Sequence, residues 1–461
     1  MERLVDLIFS GPDVELPPSE FLHRSVRFIG SHVGVIQKVQ RGISFSDYPR
    51  IIQYEAVLCH SGAFSDGDTN EAPAGFGTAF ESNRALVKAI GEAFDRYASS
   101  IYRKDRLLTA SPAELGEDAL DLRTIAGLSS NQLRSHPECR YDERSRFRWT
   151  EGYSWTRKKR IFIPAQLVFV PYIFMDDEPI LRMPLTTGVA SGTSPWAAAF
   201  RGLCEVIERD AFMIAYLNRH SAPSIPLDST FLNPSLRNFI SSLSSWGLEL
   251  HLFDLSTDIP IPIVGAAVID KRAAALGNVS LLQLGAAANF DAAEAATRAI
   301  EESLQGLYWV RLLVQTTPKE IIRAARLDPQ NIVDHAERAL FWSSPGSESE
   351  LAFLWSGDKS GSRVESLQRT FSGQKEAFTF LANSLNDMGY DVLLTDLAPE
   401  DLKNHGIFVI KSIVPELHPL HLFEKYKSLG GSRLYYTPVS LGWRNEVPSE
   451  MSLNNVPHPF L

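Results

Sequence analysis

Apolar residues recur at helical spacing in three well-separated stretches of the chain. In the first, Leu86, Ile90, Phe94 and Tyr97 share one face, which predicts a helix over residues 82–100. In the second, Leu203, Val206 and Ile207 follow Ser194-Pro195, an N-cap with Pro at the first helical position, and predict a helix over 195–217. In the third, Ala299, Ile300 and Leu304 predict a helix over 291–313. Short β-branched runs at 26–29, 33–36 and 51–57, and again at 248–255 and 261–269, read as strands. The apolar run 161–175 is too short to span a bilayer, holds Pro164, Gln166 and Pro171, and reads as one or two buried strands. Residues 63–78, rich in Gly, Asp and Ala, read as a loop, and 112–150 as irregular. The Ser/Gly-rich stretch 344–375 reads as a linker or mobile insertion. From 378 to 413 the order is helix, Gly389, strand, helix, Gly406, strand, an α/β unit.

The polar faces of the three helices carry one shared pattern. The first presents Lys88, Glu92 and Asp95, the second Arg201, Glu205 and Glu208, the third Arg298, Glu302 and Gln305. Steps of four and three keep each set on one face. Each base precedes its Glu, the weaker orientation for helix stabilisation, so surface ion pairing alone explains the pattern poorly. Glycine-containing approaches precede the second and third helices, at Gly188 to Gly192 and at Gly285 to Ala288. A shared ladder on helices about 100 residues apart suggests three elements converging on one site. Clustered carboxylates suit a hard cation such as Mg²⁺, and interspersed bases suit phosphate oxygens. The chain has no GxxxxGK[ST] and no HExxH, and Gly75-Phe76-Gly77 lacks the rest of a dinucleotide fingerprint.

Composition narrows the setting. The chain has 461 residues, 44% hydrophobic and 22% charged, which excludes disordered, collagenous and coiled-coil classes. A net charge of −10 argues against broad recognition of nucleic acid, and the acidic start of the chain against a signal peptide. The three scattered cysteines, Cys59, Cys139 and Cys204, form no metal pair or disulfide framework and suit a reducing cytoplasm. A local excess of bases at 134–160 reads as a solvated hairpin rim or as a docking face for an acidic peptide.

These segments resemble the YcaO family. The resemblance rests on Lys88-Ala89-Ile90-Gly91-Glu92-Ala93-Phe94-Asp95-Arg96-Tyr97, on Thr186-Thr187-Gly188 through Gly202-Leu203-Cys204-Glu205-Val206-Ile207-Glu208-Arg209-Asp210-Ala211, and on Gly285 through Arg298-Ala299-Ile300-Glu301-Glu302-Ser303-Leu304-Gln305. Phe253-Asp254-Leu255-Ser256 and Val414-Pro415-Glu416-Leu417 also look like family segments. The ending, Pro457-His458-Pro459-Phe460-Leu461, resembles the P-x-P-x-P terminus of azoline-forming members, the cyclodehydratase subunits of thiazole/oxazole-modified peptide pathways.

The resemblance implies a mixed α/β (α+β) YcaO-type fold: one large domain over 25–461 after an N-terminal extension at 1–24, with a C-terminal α/β subregion at 376–445 and a catalytic tail at 446–461. Its implied activity is that of an ATP-dependent peptide cyclodehydratase. A Cys, Ser or Thr side chain of a ribosomal precursor peptide attacks the preceding amide. ATP phosphorylates the amide oxygen, and phosphate leaves to give a thiazoline or oxazoline. Thioamide or amidine formation, or a non-catalytic partner-binding role, are the other readings the family allows. By matching position, Glu92, Asp95, Glu205, Glu208 and Glu302 would bind Mg²⁺ and phosphate. Lys88, Thr187, Arg209, Arg298 and Gln305 would complete the ATP site, and Pro457, His458, Pro459, Phe460 and Leu461 would serve catalysis. Four residues depart from the family pattern: Lys88 for Ser, Asp95 for Glu, Thr187 for Asn and Leu461 for Pro. No segment looks like a winged-helix leader-peptide binder or a ubiquitin-activating-enzyme-like module, so a separate partner protein is expected. An azoline dehydrogenase, a homodimer within a larger complex and a cytoplasmic location, with no nucleic acid or membrane, complete the expectation.

Overall fold

The computed structural model describes residues 12–59, 73–273 and 279–461. Among these, eight helices of eight or more residues are α1 (Pro18–Ser25), α2 (Ser82–Ser100), α3 (Pro195–Leu217), α4 (Pro234–Ser242), α5 (Ala292–Thr316), α6 (His335–Trp342), α7 (Gln374–Asp387) and α8 (Arg433–Ser440). Thirteen strands form three sheets. β1 (Ile36–Arg41), β2 (Ile52–Leu58) and β3 (Ala74–Ala79) make the first, in that order. β8 (Ser224–Ile225), β9 (Leu248–Asp254), β10 (Ile263–Asp270) and β11 (Leu282–Ala288) make the second, in reverse order. The third runs β4 (Leu108–Ala110), β5 (Phe147–Ser154), β12 (Leu393–Asp396), β13 (Phe408–Ile413), β7 (Val189–Gly192), with β6 (Lys159–Pro164) also paired to β5. All strand pairings are antiparallel. The fold is mixed α/β, as expected.

A strand–helix unit occurs three times: β3 leads into α2, β7 into α3 and β11 into α5. The strands are rich in Gly and Ala, and the helix backbone sits almost against them. A Cβ at Gly75 would lie 2.2 Å from the Ala89 carbonyl oxygen of α2, and one at Gly285 2.3 Å from that of Ala299 in α5. Small residues here set the distance between strand and helix, so they are a packing requirement rather than a loop signal. This reverses the reading of 63–78: residues 74–79 are β3, and 63–72 lie outside the described residues.

Other local readings change too. Residues 26–28 form a 3₁₀ turn continuing α1, because Phe28 turns inward to meet Phe94 edge-on at 5.4 Å. The run 161–175 holds one strand, β6, before a 3₁₀ turn at 165–167. The Ser/Gly-rich stretch 344–375 contributes buried Leu351, Leu354 and Val364 to the core and bridges Gly357 to Pro223, beside the second sheet. The final strands of the 378–413 unit, β12 and β13, pair antiparallel across Gly406. Upstream of α1, Glu15 grips Arg201 of α3 through two bonds of 2.6 and 2.8 Å. The bases at 134–160 are largely engaged: Arg146 with Glu114, Arg157 with Asp391, Lys159 with Asp118, Arg160 with Glu151, and Arg140 with two carbonyls. The solvated-rim reading fits that pairing.

Candidate functional site

The three ladders meet. In each unit the central Glu reaches back to a backbone N–H at or beside the preceding strand. Phe76 N–H donates to Glu92 Oε2 at 2.7 Å, Gly188 N–H to Glu205 Oε2 at 3.0 Å, and Ala286 N–H to Glu302 Oε2 at 2.9 Å. The second ladder acid, Glu208, accepts from Ala288 N–H of the third unit at 3.3 Å. The other carboxylate oxygen of each faces an arginine: Glu92 Oε1 accepts from Arg96 at 2.7 Å, and Oε1 of Glu205, Glu208 and Glu302 lies toward Arg209.

Arg209 ties the second and third units together. Its guanidinium lies 3.4 Å from Glu208, 3.5 Å from Glu302 and 3.9 Å from Glu205. Burial alone would weaken that charge, but the three carboxylates hold the guanidinium firmly protonated. The acids show the reverse. Burial, with Glu302 and Glu205 close by, pushes Glu208 up to about 8. Burial raises Glu205 as well, and lifts Asp95 well above the usual carboxylate range despite a hydroxyl from Ser191. Asp95 also senses the charges of Glu92 and Glu205, so the acids of the first two helices share one field.

A set of largely half-buried carboxylates fits a divalent cation, whose charge would favour the ionised forms that burial opposes at Asp95, Glu205 and Glu208. Asp95 Oδ1 has no hydrogen-bond partner, and Arg209 Nε and Nη1 have none either. Asp95 Oδ1 fits a cation and Arg209 Nε an anionic oxygen, while Nη1 keeps its ion pair with Glu208.

The other expected residues are placed as follows. Arg298 and Gln305 are half-buried and make no hydrogen bond to described residues; the charge of Arg298 reaches both Lys88 and Glu208. Thr187 lines a cleft with Arg209. Lys88 is committed elsewhere, its Nζ donating to buried Glu301 at 2.6 Å and to the Thr78 carbonyl at 3.0 Å. Glu301 also accepts from Phe80 N–H and lies 3.4 Å from Arg84, which is paired with Glu294. Sequence reasoning missed Glu301 because it lies one residue off the ladder face.

The tail is built into the same region. Pro457, His458, Pro459 and Phe460 are buried, and Leu461 packs on the cluster under α5. Tyr216 Oη and Trp342 Nε1 donate to the Pro457 carbonyl at 2.9 and 3.1 Å. Arg338, fully buried, donates to the His458 carbonyl at 2.9 Å and to Glu424 at 2.6 Å, while His421 lies 3.2 Å from Glu424. Phe460 then places its ring under Arg209, 4.1 Å from the guanidinium. Arg338 and Glu424 lie in stretches whose pattern carries no motif, so sequence reasoning missed them.

A mixed α/β fold with an acid-and-base ladder on three helices, closed by its own C-terminal residues, defines a site for a metal-bound anion without a P-loop. The family model described as "YcaO cyclodehydratase, ATP-ad Mg2+-binding" matches residues 76–418, and the chain belongs to the YcaO family, whose ligands are ATP and Mg²⁺. An uncharacterized protein of Methanothermobacter thermautotrophicus is 30% identical over 223 residues, covering 48% of this chain and 54% of that protein. An uncharacterized protein from the tfuA 3' region of Rhizobium leguminosarum bv. trifolii is 25% identical over 238 residues, 50% of this chain and 53% of that one. The chain thus spans about half the length of these curated relatives. Among solved structures, a heterocyclase in complex with substrate and cofactor superposes with a TM-score of 0.78 at 21% identity, over 98% of this chain and 60% of that one. The YcaO protein of Methanopyrus kandleri bound with AMPPCP and Mg²⁺ superposes with a TM-score of 0.60 at 19% identity, over 87% and 91%. No described helix is long and apolar enough to cross a membrane.

Proposed function

We propose that this chain is the ATP-dependent cyclodehydratase subunit of a system that makes thiazolines or oxazolines from Cys, Ser or Thr of a ribosomal precursor peptide. The observation that carries the reading is the contact of the terminal Phe460 with Arg209, which lies beside Glu205 and Glu208 of the second ladder and Glu302 of the third. Glu92, Asp95, Glu205, Glu208 and Glu302 would hold Mg²⁺, with Thr187, Arg209, Arg298 and Gln305 toward the nucleotide. Bound Mg-ATP supplies the phosphoryl group that turns an amide oxygen into a leaving group. The protein's part is positioning and charge. Arg209 offers N–H donors to anionic oxygen in a site where burial strengthens each such bond. Arg338, Tyr216 and Trp342 fix the tail carbonyls, so that the last residues orient the substrate amide or receive its proton. Lys88 steadies α2 against α5 through Glu301 rather than meeting phosphate.

A separate leader-peptide-binding partner would deliver the precursor, and a dehydrogenase would act afterwards where azoles are made. The test is mass spectrometry of precursor peptide incubated with this protein, its partner and Mg-ATP. Loss of one water per ring, together with ATP consumption, is expected, and both should vanish in Glu205→Ala. An unmodified peptide in the presence of demonstrated nucleotide binding overturns the reading.

A further inference from the structure

Half-buried Arg182 and buried Lys411 make no ion pair with an acid among the described residues. Arg182 is bonded only to carbonyls, Ala126 at 2.7 Å and Pro415 at 3.4 Å, and its Nε has no partner. Lys411, on the inward face of β13, donates to the Leu185 carbonyl, and Glu205 is the carboxylate whose charge it senses. Buried charges are ordinarily paired, because leaving one without a counter-charge is costly. Burial, aided by the nearby Arg182, drives the Lys411 amine down to about 7, and burial lowers Arg182 to about 10. A lysine weakened by burial beside an arginine that has no carboxylate partner calls for an anion.

The same cleft holds a third feature. His418 is buried, and neither ring nitrogen has a hydrogen-bond partner. Arg182, Lys411, His418, Thr187 and Arg209 line one cleft of about 50 Å³. Its lining meets the carboxylate cluster at Arg209, and Lys411 senses the charge of Glu205.

We propose that this cleft is a phosphate pocket in which Arg182, Lys411 and His418 bind the orthophosphate released by the ATP-dependent step, an assignment of source that rests on the function proposed above. Arg182 and Lys411 supply positive charge, and the neutral His418 ring supplies one N–H donor. A pocket beside the cluster lets the leaving phosphate move away from the carboxylates, which repel it, toward cations without partners.

The test uses the full-length chain and inorganic phosphate, titrated by calorimetry without nucleotide, alongside a separate titration with Mg²⁺ and a non-hydrolysable ATP analogue. Phosphate should bind at one site, and Arg182→Gln or Lys411→Met should weaken it by at least about tenfold while analogue affinity stays within about threefold. Unchanged phosphate affinity in both folded variants, or no binding by the wild type, overturns the pocket. Absent analogue binding alongside variant-sensitive phosphate binding would overturn the ATP reading and keep the pocket. Should a variant not fold, wild-type crystals soaked in selenate decide. An anomalous peak within hydrogen-bond reach of Arg182 and Lys411 supports the pocket, and a peak only among the ladder residues, or none, overturns it.

Discussion

The Arg209 guanidinium rests 4.1 Å from the centre of the Phe460 ring, so the second-last residue of the chain packs under the arginine that joins the second and third ladders. The ring is 1% exposed and also meets Phe212 at 4.8 Å. Truncating it opens a cavity and removes the cation–π contact. Phe460→Ala should therefore cost about 3 kcal/mol in urea unfolding, with Phe460→Leu costing less. If the ring also sets the position of Arg209, both variants should raise the KM for ATP, and Leu should not rescue it. An unaltered KM in the folded Leu variant would separate the tail from the nucleotide site.

The three strand-to-Glu bonds make an isosteric series possible. Gln in place of Glu92, Glu205 or Glu302 keeps an oxygen to accept Phe76, Gly188 or Ala286 N–H and removes one negative charge from a crowded set. Glu205→Gln should melt at or above the wild-type temperature in the absence of Mg²⁺, because burial and the nearby Glu302 already oppose the charge of Glu205. Each of the three variants should lose at least about a hundredfold in ATP turnover, measured as phosphate release, if the carboxylates serve the metal. Retained turnover in any one of the three removes that residue from the site.

Acid should loosen the tail. Glu424, held by Arg338 and His421 and with Lys427 nearby, lies at about 2 although burial opposes it, so its contribution is present above its unfolded value near 4.5 and is lost as pH falls toward 2. Burial drives His458 well below its ordinary value, with Arg338, His421 and Lys427 adding repulsion. The unfolded chain therefore binds a proton at His458 that the folded chain refuses, and stability falls as pH drops below about 6.5. His458→Gln should make the stability profile shallower between about pH 6.5 and 4.5, while His220, His335 and His418, also held low by burial, keep the remaining slope and the later loss due to Glu424 stays in place. Unfolding midpoints across that range check it, and an unchanged slope would show that His458 does not titrate with folding.

The amphipathic faces of α2 and α3 were legible to the residue, because a long helix with one apolar stripe needs no tertiary information to be recognised. The strands before them were not. β3, β7 and β11 are built from Gly, Ala and Ser, which lack strand character when read locally, and only the approach of a helix backbone explains their composition. The ladder acids were found by spacing alone, whereas Glu301, Arg338 and Glu424 act through partners more than 80 residues away in the chain and leave no local trace. The direction in which a base is used was equally hidden. Lys88 and Arg201 sit on the ladder faces, yet Glu301 and Glu15 from distant segments hold them.

Lys88 gives the clearest choice between motif and structure. A lysine at this place in the ladder suits a phosphate, but its amine is 2.6 Å from Glu301, a carboxylate 1% exposed. Lys88→Met leaves that carboxylate buried with Arg84 at 3.4 Å as its remaining cation, and should cost about 2 kcal/mol. Glu301→Gln keeps the bond from Phe80 N–H and should cost less. In the double variant the losses should fall short of their sum by about 1 kcal/mol, the signature of a direct pair. Because the amine is engaged, the KM for ATP of Lys88→Met should stay within about threefold of wild type. A KM raised tenfold or more with additive stabilities would return Lys88 to the nucleotide and show that the ion pair with Glu301 breaks when ATP binds.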